Sequence, residues 1–365
     1  MKKILIYLPN LRGGGAERVY TNLANTWTKQ GLEIVFLLNK KDGPFLIELN
    51  QNIRVIDLNV KRIRQTFFLL PKIIKREKPD IFLSAMWPLT SISIVLSKLF
   101  FLKTKIVISD HVNLTKSIKH ETNFNYFLFK FILFVTYRFA DGIICVSKGV
   151  KKNVIKISKL REDRIIVIYN PIISNENKYD NSNFIKAIKK NCINFLNIGS
   201  LKIQKNQKLL INAFSQLDNS YDVNLLIVGD GPEKQNLITL IKEKKQEHRI
   251  FIKDFDLDVE QYYLRSDFFI LSSEWEGFGN VLVEALHYGL NIISTNCDYG
   301  PAEILDYGKY GDLVKVNDTD SLTKIMEKKI KEFKREFNYI NYLRSLDYSV
   351  SKIAKNYLDY FYKIL

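Results

Sequence analysis

The sequence predicts an α/β protein made of two doubly wound domains in tandem, each a parallel sheet wrapped by helices. Apolar runs of four to seven residues alternate with longer amphipathic segments along the whole chain, which is the pattern of strands buried on both faces. The 365 residues, 46% of them apolar, exceed what one core organises and supply two. Several of the apolar runs end in glycine turns that open into a helical pattern, the place where open α/β sheets bind ligands.

In the first half, strands are expected at Lys3 to Leu8, Glu33 to Leu38, Ile53 to Leu58, Ile81 to Ser84, Ile106 to Ser109, Gly142 to Val146 and Ile165 to Tyr169. The second half repeats the pattern at Phe195 to Ile198, Leu225 to Val228, Ile250 to Ile252, Phe268 to Leu271, Asn291 to Ser294 and Asp312 to Val314. After Asn170-Pro171, the polar stretch Ser174 to Ser182 lacks periodicity and is read as the linker, giving domains 1–173 and 174–350. A closing helix, Ser351 to Leu365, rich in Tyr and apolar residues, is expected to pack back on the first domain.

Composition removes several classes of function. Cys145, Cys192 and Cys297 are odd in number and show no metal-ligand spacing, so neither a disulfide framework nor a zinc site is indicated, and a reducing cytoplasm fits. Met1 to Pro9 is too short for the apolar core of a signal peptide and reads as a first strand. Phe124 to Phe139 is interrupted by Asn125, Lys130 and Arg138 and falls short of the roughly 20 apolar residues of a spanning helix. The net charge of +16 is uneven: Met1 to Ile173 carries 29 Lys and Arg against 12 Asp and Glu, whereas the remainder carries 26 against 27. Only the first domain is expected to face a polyanion.

Four segments carry candidate chemistry. Leu11-Arg12-Gly13-Gly14-Gly15-Ala16-Glu17-Arg18 precedes a helix expected at Val19 to Gln30, so its glycines allow close backbone approach to an anion at a helix start. It does not match G-x-G-x-x-G, and a tight turn that binds nothing fits this segment equally. Gly199 to Asn206 and Gly229 to Pro232 follow strands; there Lys205 is either a fixed charge for a diphosphate or a solvated lysine. Ser272 to Leu286 is the most informative, because a strand leads through Gly277, Phe278 and Gly279 into a helix expected to start near Asn280, forming an N-terminal nest for negative charge. Glu276 and Glu284 bracket that nest. The plain readings are a dipole-favoured acid for Glu276 and an exposed helix residue for Glu284, yet apolar neighbours surround Glu284 and argue for a held position.

The Glu276 to Glu284 spacing resembles the E-x7-E motif of the retaining glycosyltransferases of family 4. GGGAER, GSLKIQKN, GDGP, EGFGNVLVEAL and STNCDYGPAEIL stand in the order that family uses and span nearly the whole chain. The resemblance implies the GT-B fold, two tandem Rossmann-like domains with a cleft between them, the first binding the acceptor and the second the nucleotide sugar. It is closest in kind to bacterial enzymes of lipopolysaccharide, capsule or lipid-linked glycan assembly.

Carried over residue by residue, the resemblance implies that Glu284 holds the ribose and Lys205 the diphosphate. Glu276 with the amides of Gly277, Phe278, Gly279 and Asn280 would hold the sugar and its phosphates, and Gly14 and Gly15 would cap the diphosphate. His111, in Ser109-Asp110-His111-Val112-Asn113, matches a family histidine near the transferred sugar and acceptor; without that match it would read as structural. Glu276, His111 and Lys205 are the expected catalytic residues. Ser200 stands at the donor site where the family usually has arginine, so a bidentate phosphate clamp is missing, and Lys202, Arg18, or Lys205 with helix dipoles must supply the charge.

The implied reaction moves a hexose or N-acetylhexosamine from a nucleotide diphosphate sugar, a UDP sugar by family preference, with retention and without a cofactor or metal. Asp254-Phe255-Asp256 and Asp256-Leu257-Asp258 have the D-x-D form of metal-dependent transferases but are read as loop acids. The expected partners are a nucleotide sugar donor, a lipid-linked glycan acceptor and an anionic membrane surface, with the chain peripheral on the inner face of the cytoplasmic membrane; nucleic acid is not expected. Lys61 to Lys78 is the candidate for touching lipid, while Phe124 to Phe139, apolar almost all round, is read as ordinary packing. The rival readings are a nucleotide-sugar epimerase on the same fold and a catalytically silent glycan-binding subunit.

Overall fold

The computed structural model describes residues 1–60, 62–122, 124–174, 192–256 and 258–365. Of the linker stretch only Ser174 falls within these; the rest of it, like Lys61, lies outside the described residues. The chain forms two compact units, Met1–Ser174 with Tyr348–Leu365, and Asn175–Asp347.

The first unit holds a seven-stranded parallel sheet in the order β3-β2-β1-β4-β5-β6-β7. Its strands are β1 (Lys3–Leu8), β2 (Glu33–Leu38), β3 (Arg54–Asp57), β4 (Ile81–Ala85), β5 (Lys105–Asp110), β6 (Gly142–Cys145) and β7 (Ile165–Val167). The second holds a six-stranded parallel sheet, β10-β9-β8-β11-β12-β13. These are β8 (Ile193–Ile198), β9 (Val223–Val228), β10 (Ile250–Lys253), β11 (Phe268–Leu271), β12 (Asn291–Thr295) and β13 (Asp312–Val314). Every strand expected from the apolar runs is present, since helices cover both faces and leave the central strands no solvent side on which to carry polar residues. Both orders reverse direction beside the first strand of their unit, so β1/β4 and β8/β11 are switch points with diverging loops at their carboxyl ends.

On one face of the first sheet lie helices Gly15–Lys29 and Val350–Ile364. Trp27 joins them: its ring meets Tyr357 and Phe361 at 5.9 and 5.8 Å, and its Nε1 donates to the Ala354 carbonyl at 3.2 Å. Helix Gly15–Lys29 starts four residues before the expected Val19, because Gly14 adopts an extended N-cap conformation and Gly15 enters the first turn. Along the other face run helices Thr66–Glu77, Leu89–Leu99, Tyr126–Thr136 and Lys148–Ser158, each packed on the next.

Helix Tyr126–Thr136 packs in this layer, but its covered side is narrow: it buries only Phe129, Leu133 and Thr136. Phe127, Leu128, Phe131, Phe134 and Val135 face outward. No helix among the described residues is long and apolar enough to cross a membrane.

Candidate functional site

In the second unit, two glycine turns interlock at the carboxyl ends of β8 and β9. Gly229 and Gly231 have φ of 154° and 158°, and a Cβ on either would collide with the carbonyl oxygen of Gly199 or of Leu201. Leu201 N in turn donates to the Asp230 carbonyl at 2.8 Å. The chain then makes a short 3-10 turn, Ile203–Lys205, which lays the Lys205 side chain over Gly199.

That placement delivers the ammonium to the next strand end. Lys205 Nζ donates to Glu276 Oε1 at 2.6 Å, and Ser273 Oγ donates to the same oxygen at 2.6 Å. Glu276 is buried, so a carboxylate there requires partners of this strength. Its second oxygen, Oε2, has no hydrogen-bond partner among the described residues. Backbone stitching fixes the pair: Ser272 Oγ donates to the Lys205 carbonyl at 2.8 Å, Gln204 Nε2 to that of Trp275 at 2.9 Å, and Glu274 N to that of Gln204 at 2.8 Å. Thr295 Oγ1 at the end of β12 donates to the Ser273 carbonyl at 2.6 Å.

The loop through Phe278 is held just as closely. Gly300, at φ 103°, lies so near Phe278 that a Cβ would overlap the Phe278 carbonyl. Gly279 takes φ 104° and ψ 56° as N-cap of helix Asn280–His287, with no side-chain cap. One turn along that helix, Glu284 Oε2 accepts from Tyr263 Oη at 2.7 Å. Tyr263 is buried and stacks on Tyr288 with ring centroids 5.2 Å apart; burial, with Glu284 adding to it, pushes its phenol well above the ordinary range. Ser200 sits on the first glycine turn, its carbonyl accepting from Gln207 Nε2 at 3.2 Å.

In the first unit, the end of β5 carries His111. Its Nε2 lies 3.1 Å from Tyr20 Oη and 3.0 Å from Ser109 Oγ, while buried Nδ1 has no partner among the described residues. Burial pushes His111 down to about 3, so the ring is neutral at neutral pH. Tyr20 rises from the helix that follows Gly14 and Gly15. Glu17, in the first turn of that helix, folds its carboxyl group back against Gly14, and burial raises its pKa. On the opposite side of β5, burial pushes Asp110 up to about 7; Tyr137 Oη donates to its Oδ1 at 3.1 Å and Oδ2 has no partner among the described residues.

One expectation about charge is corrected. Arg18 does not supply a free cation near the glycines: both its terminal nitrogens engage Glu48, and its guanidinium lies 3.9 Å from the Phe45 ring centroid. Lys202 is exposed and has no side-chain partner among the described residues. Two of the three D-x-D acids are committed locally, Asp254 to Lys234, and Asp256 to Tyr262 Oη at 2.9 Å.

The structure thus brings Lys205 and Glu276 into direct contact and sets Ser200, Gly277 to Asn280 and Glu284 around neighbouring strand ends. Gly14, Gly15 and His111 belong to the other unit. Sequence reasoning passed over Ser273, Tyr263 and Thr295. Ser273 was legible, three residues before Glu276; Tyr263 and Thr295 reach the site only through sheet packing.

This arrangement, glycine turns at the switch point of a doubly wound sheet with a lysine and carboxylate between them, suits a phosphate-bearing ligand with hydroxyl groups. Residues 13–175 match the model described as Glycosyltransferase Family 4, and residues 178–345 that of the glycosyl transferases group 1. The chain is 27% identical, over 99% of both chains, to the Campylobacter jejuni N-acetylgalactosamine-N,N'-diacetylbacillosaminyl-diphospho-undecaprenol 4-alpha-N-acetylgalactosaminyltransferase. It is 26% identical, over 98% of its length and 99% of the relative's, to the amylovoran biosynthesis glycosyltransferase AmsD of Erwinia amylovora. Among solved structures, Anabaena HepE in complex with UDP matches with a TM-score of 0.82 at 20% identity over the whole of both chains. A Rickettsia africae glycosyltransferase matches at 0.82 and 21%, over 100% of this chain and 98% of that one. The chain belongs to the family 4-like glycosyltransferases of the GT-B fold.

Proposed function

We propose that this glycosyltransferase moves a hexose or N-acetylhexosamine from a UDP sugar to a lipid-linked glycan in bacterial surface glycan assembly, with retention and without metal. The observation that carries the reading is the Lys205–Glu276–Ser273 cluster on interlocked glycine turns. Cleaving the bond between the anomeric carbon and the diphosphate builds negative charge on the leaving oxygen, and a preorganised cation with nearby amides stabilises it at little reorganisation cost. Lys205 spends one N–H on Glu276 and has two more for phosphate oxygens. Glu276 Oε2 is left to accept from a sugar hydroxyl, and Glu284 from the ribose diol.

The acceptor hydroxyl forms its bond to the anomeric carbon on the face the diphosphate leaves, and its proton passes to the departing phosphate oxygen. Neutral His111, with Nδ1 unpartnered among the described residues, is suited to hydrogen-bond the transferred sugar or acceptor. UDP is favoured by the HepE complex, and a polyprenyl diphosphate acceptor by the Campylobacter relative. Such an acceptor places the protein at the cytoplasmic surface of the membrane.

Thermal stabilisation by a panel of nucleotide sugars tests the donor, since a ligand of the native state raises the melting temperature by mass action. A shift with UDP sugars that disappears in Glu276→Gln is expected; equal shifts with and without that carboxylate would overturn the site. Proton NMR of the product tests retention, activity in EDTA tests metal independence, and donor incubated alone separates transfer from epimerisation.

A further inference from the structure

Three neighbouring helices of the first unit expose large apolar side chains. On Thr66–Glu77 they include Phe67, Phe68 and Leu69; beyond Leu89–Leu99, Phe101; on Tyr126–Thr136, Phe127 and Phe131. Phe68 is 69%, Phe101 91%, Phe127 79% and Phe131 63% exposed, far beyond the scattered apolar residues of an ordinary surface. The helices are neighbours in one layer, and Phe67 and Phe100 join the first two, with ring centroids 6.1 Å apart.

The rim is predominantly cationic, with Asp141, 4.0 Å from Lys98, as an acid beside it. Lys72, Lys75, Arg76, Lys98, Lys103 and Arg138 are exposed there. The acid of these three helices, Glu77, is buried and tied to Lys3, Arg54 and Arg76, so Arg76 is partly neutralised. Arg138 lies 4.2 Å over the Phe134 ring and Lys130 5.6 Å from that of Tyr126, cations standing beside aromatic rings as at a membrane interface. A second copy of the chain would bring two cationic rims together, which disfavours self-association through this face.

We infer that this three-helix face docks on an anionic lipid bilayer by inserting Phe127, Phe131, Phe68 and Phe101 among the acyl chains while the surrounding lysines and arginines bind headgroup phosphates. Basic residues draw the protein to the surface and the aromatic side chains hold it there. The helix that sequence alone assigned to packing is therefore the insertion element, beside the polybasic one. The inference deepens the membrane part of the reading above and is independent of the donor chemistry.

The test is co-sedimentation of the full chain with vesicles of phosphatidylcholine alone or mixed with phosphatidylglycerol, alongside transfer to a detergent-soluble acceptor. Binding to the anionic vesicles at least about tenfold stronger than to neutral ones is expected, weakened about tenfold or more by Phe127→Ser with Phe131→Ser, with soluble-acceptor transfer unchanged. An indole introduced by Phe131→Trp should shift its emission to the blue on anionic vesicles and be quenched by lipids brominated in the acyl chain. Binding without quenching would reduce the face to electrostatic adsorption and overturn insertion. So would vesicle binding indifferent to both serine changes, a dimer in solution that buries the introduced indole, or a preference for RNA over lipid. Loss of transfer with vesicle binding intact would instead count against the donor site.

Discussion

The two units share a parallel doubly wound plan yet treat their polar groups in opposite ways. At the strand ends of the second, each acid has a named partner: Glu276 is held by Lys205 and Ser273, and Glu284 by Tyr263. At the end of β5 in the first, His111 Nδ1 and Asp110 Oδ2 are buried without partners among the described residues, and burial leaves the histidine neutral. One corner is assembled before any ligand arrives; the other keeps unmet hydrogen-bonding capacity. A donor diphosphate has a fixed geometry that preorganised charges can match, whereas an orphaned polar atom costs roughly 1–3 kcal/mol that a substrate hydroxyl can recover.

The strongest way to break this contrast is Glu276→Gln, which preserves shape while removing the charge opposite Lys205. Transfer should fall by roughly 10²–10³ in kcat, and a loss below tenfold in steady-state assays would show that the second unit's network is scaffolding rather than chemistry. Gly300→Ala attacks the framework beneath it. With φ at 103° and the Phe278 carbonyl in the way, a loss of ~3 kcal/mol in urea unfolding is expected, together with weakened nucleotide-sugar binding.

Asp110→Asn probes the unsatisfied corner. Because folding raises the Asp110 pKa from 3.8 to about 7, the folded state keeps its proton longer than the unfolded chain, and stability is lost as pH climbs between those values. The amide should therefore gain ~4 kcal/mol at pH 8 and almost nothing at pH 4. His111 acts in reverse: lowered from 6.5 to about 3, it removes stability as pH falls through that window, a slope that should persist in the Asp110→Asn protein. Thermal melts across pH that show no difference between the two proteins would make Asp110 a satisfied residue. The smallest effect belongs to Tyr263→Phe, expected to raise the donor KM about tenfold, worth ~1.4 kcal/mol, with kcat unchanged because only the orientation of Glu284 is relaxed. An unchanged KM would reduce Tyr263 to a packing residue.

The apolar runs announced all the strands, since a parallel strand buried on both faces must be apolar and a strand from Phe268 to Leu271 has no other place to go. Glycine placement announced the turns at Gly199, Gly229 and Gly279, where a side chain would collide or strain the backbone. Lys205 and Glu276 were each legible as candidates. Their contact was not, because 71 residues separate them and only the pairing of β8 with β11 brings their loops together. The same holds for Tyr263 beneath Glu284 and for Arg18, whose commitment to Glu48 depends on a turn 30 residues away.

Sequence by itself determined the fold class, the order of elements and the residue types at each strand end, all of which follow from local periodicity and backbone sterics. Tertiary structure alone decided which side chains share a hydrogen bond, which buried groups go without one, and which side of helix Tyr126–Thr136 is covered. That helix is apolar around nearly its whole circumference, so no periodicity marks an inner face; its neighbours cover Phe129 and Leu133 and leave Phe127 and Phe131 outside. Burial is a property of what packs alongside, and a chain read one residue at a time does not contain its neighbours.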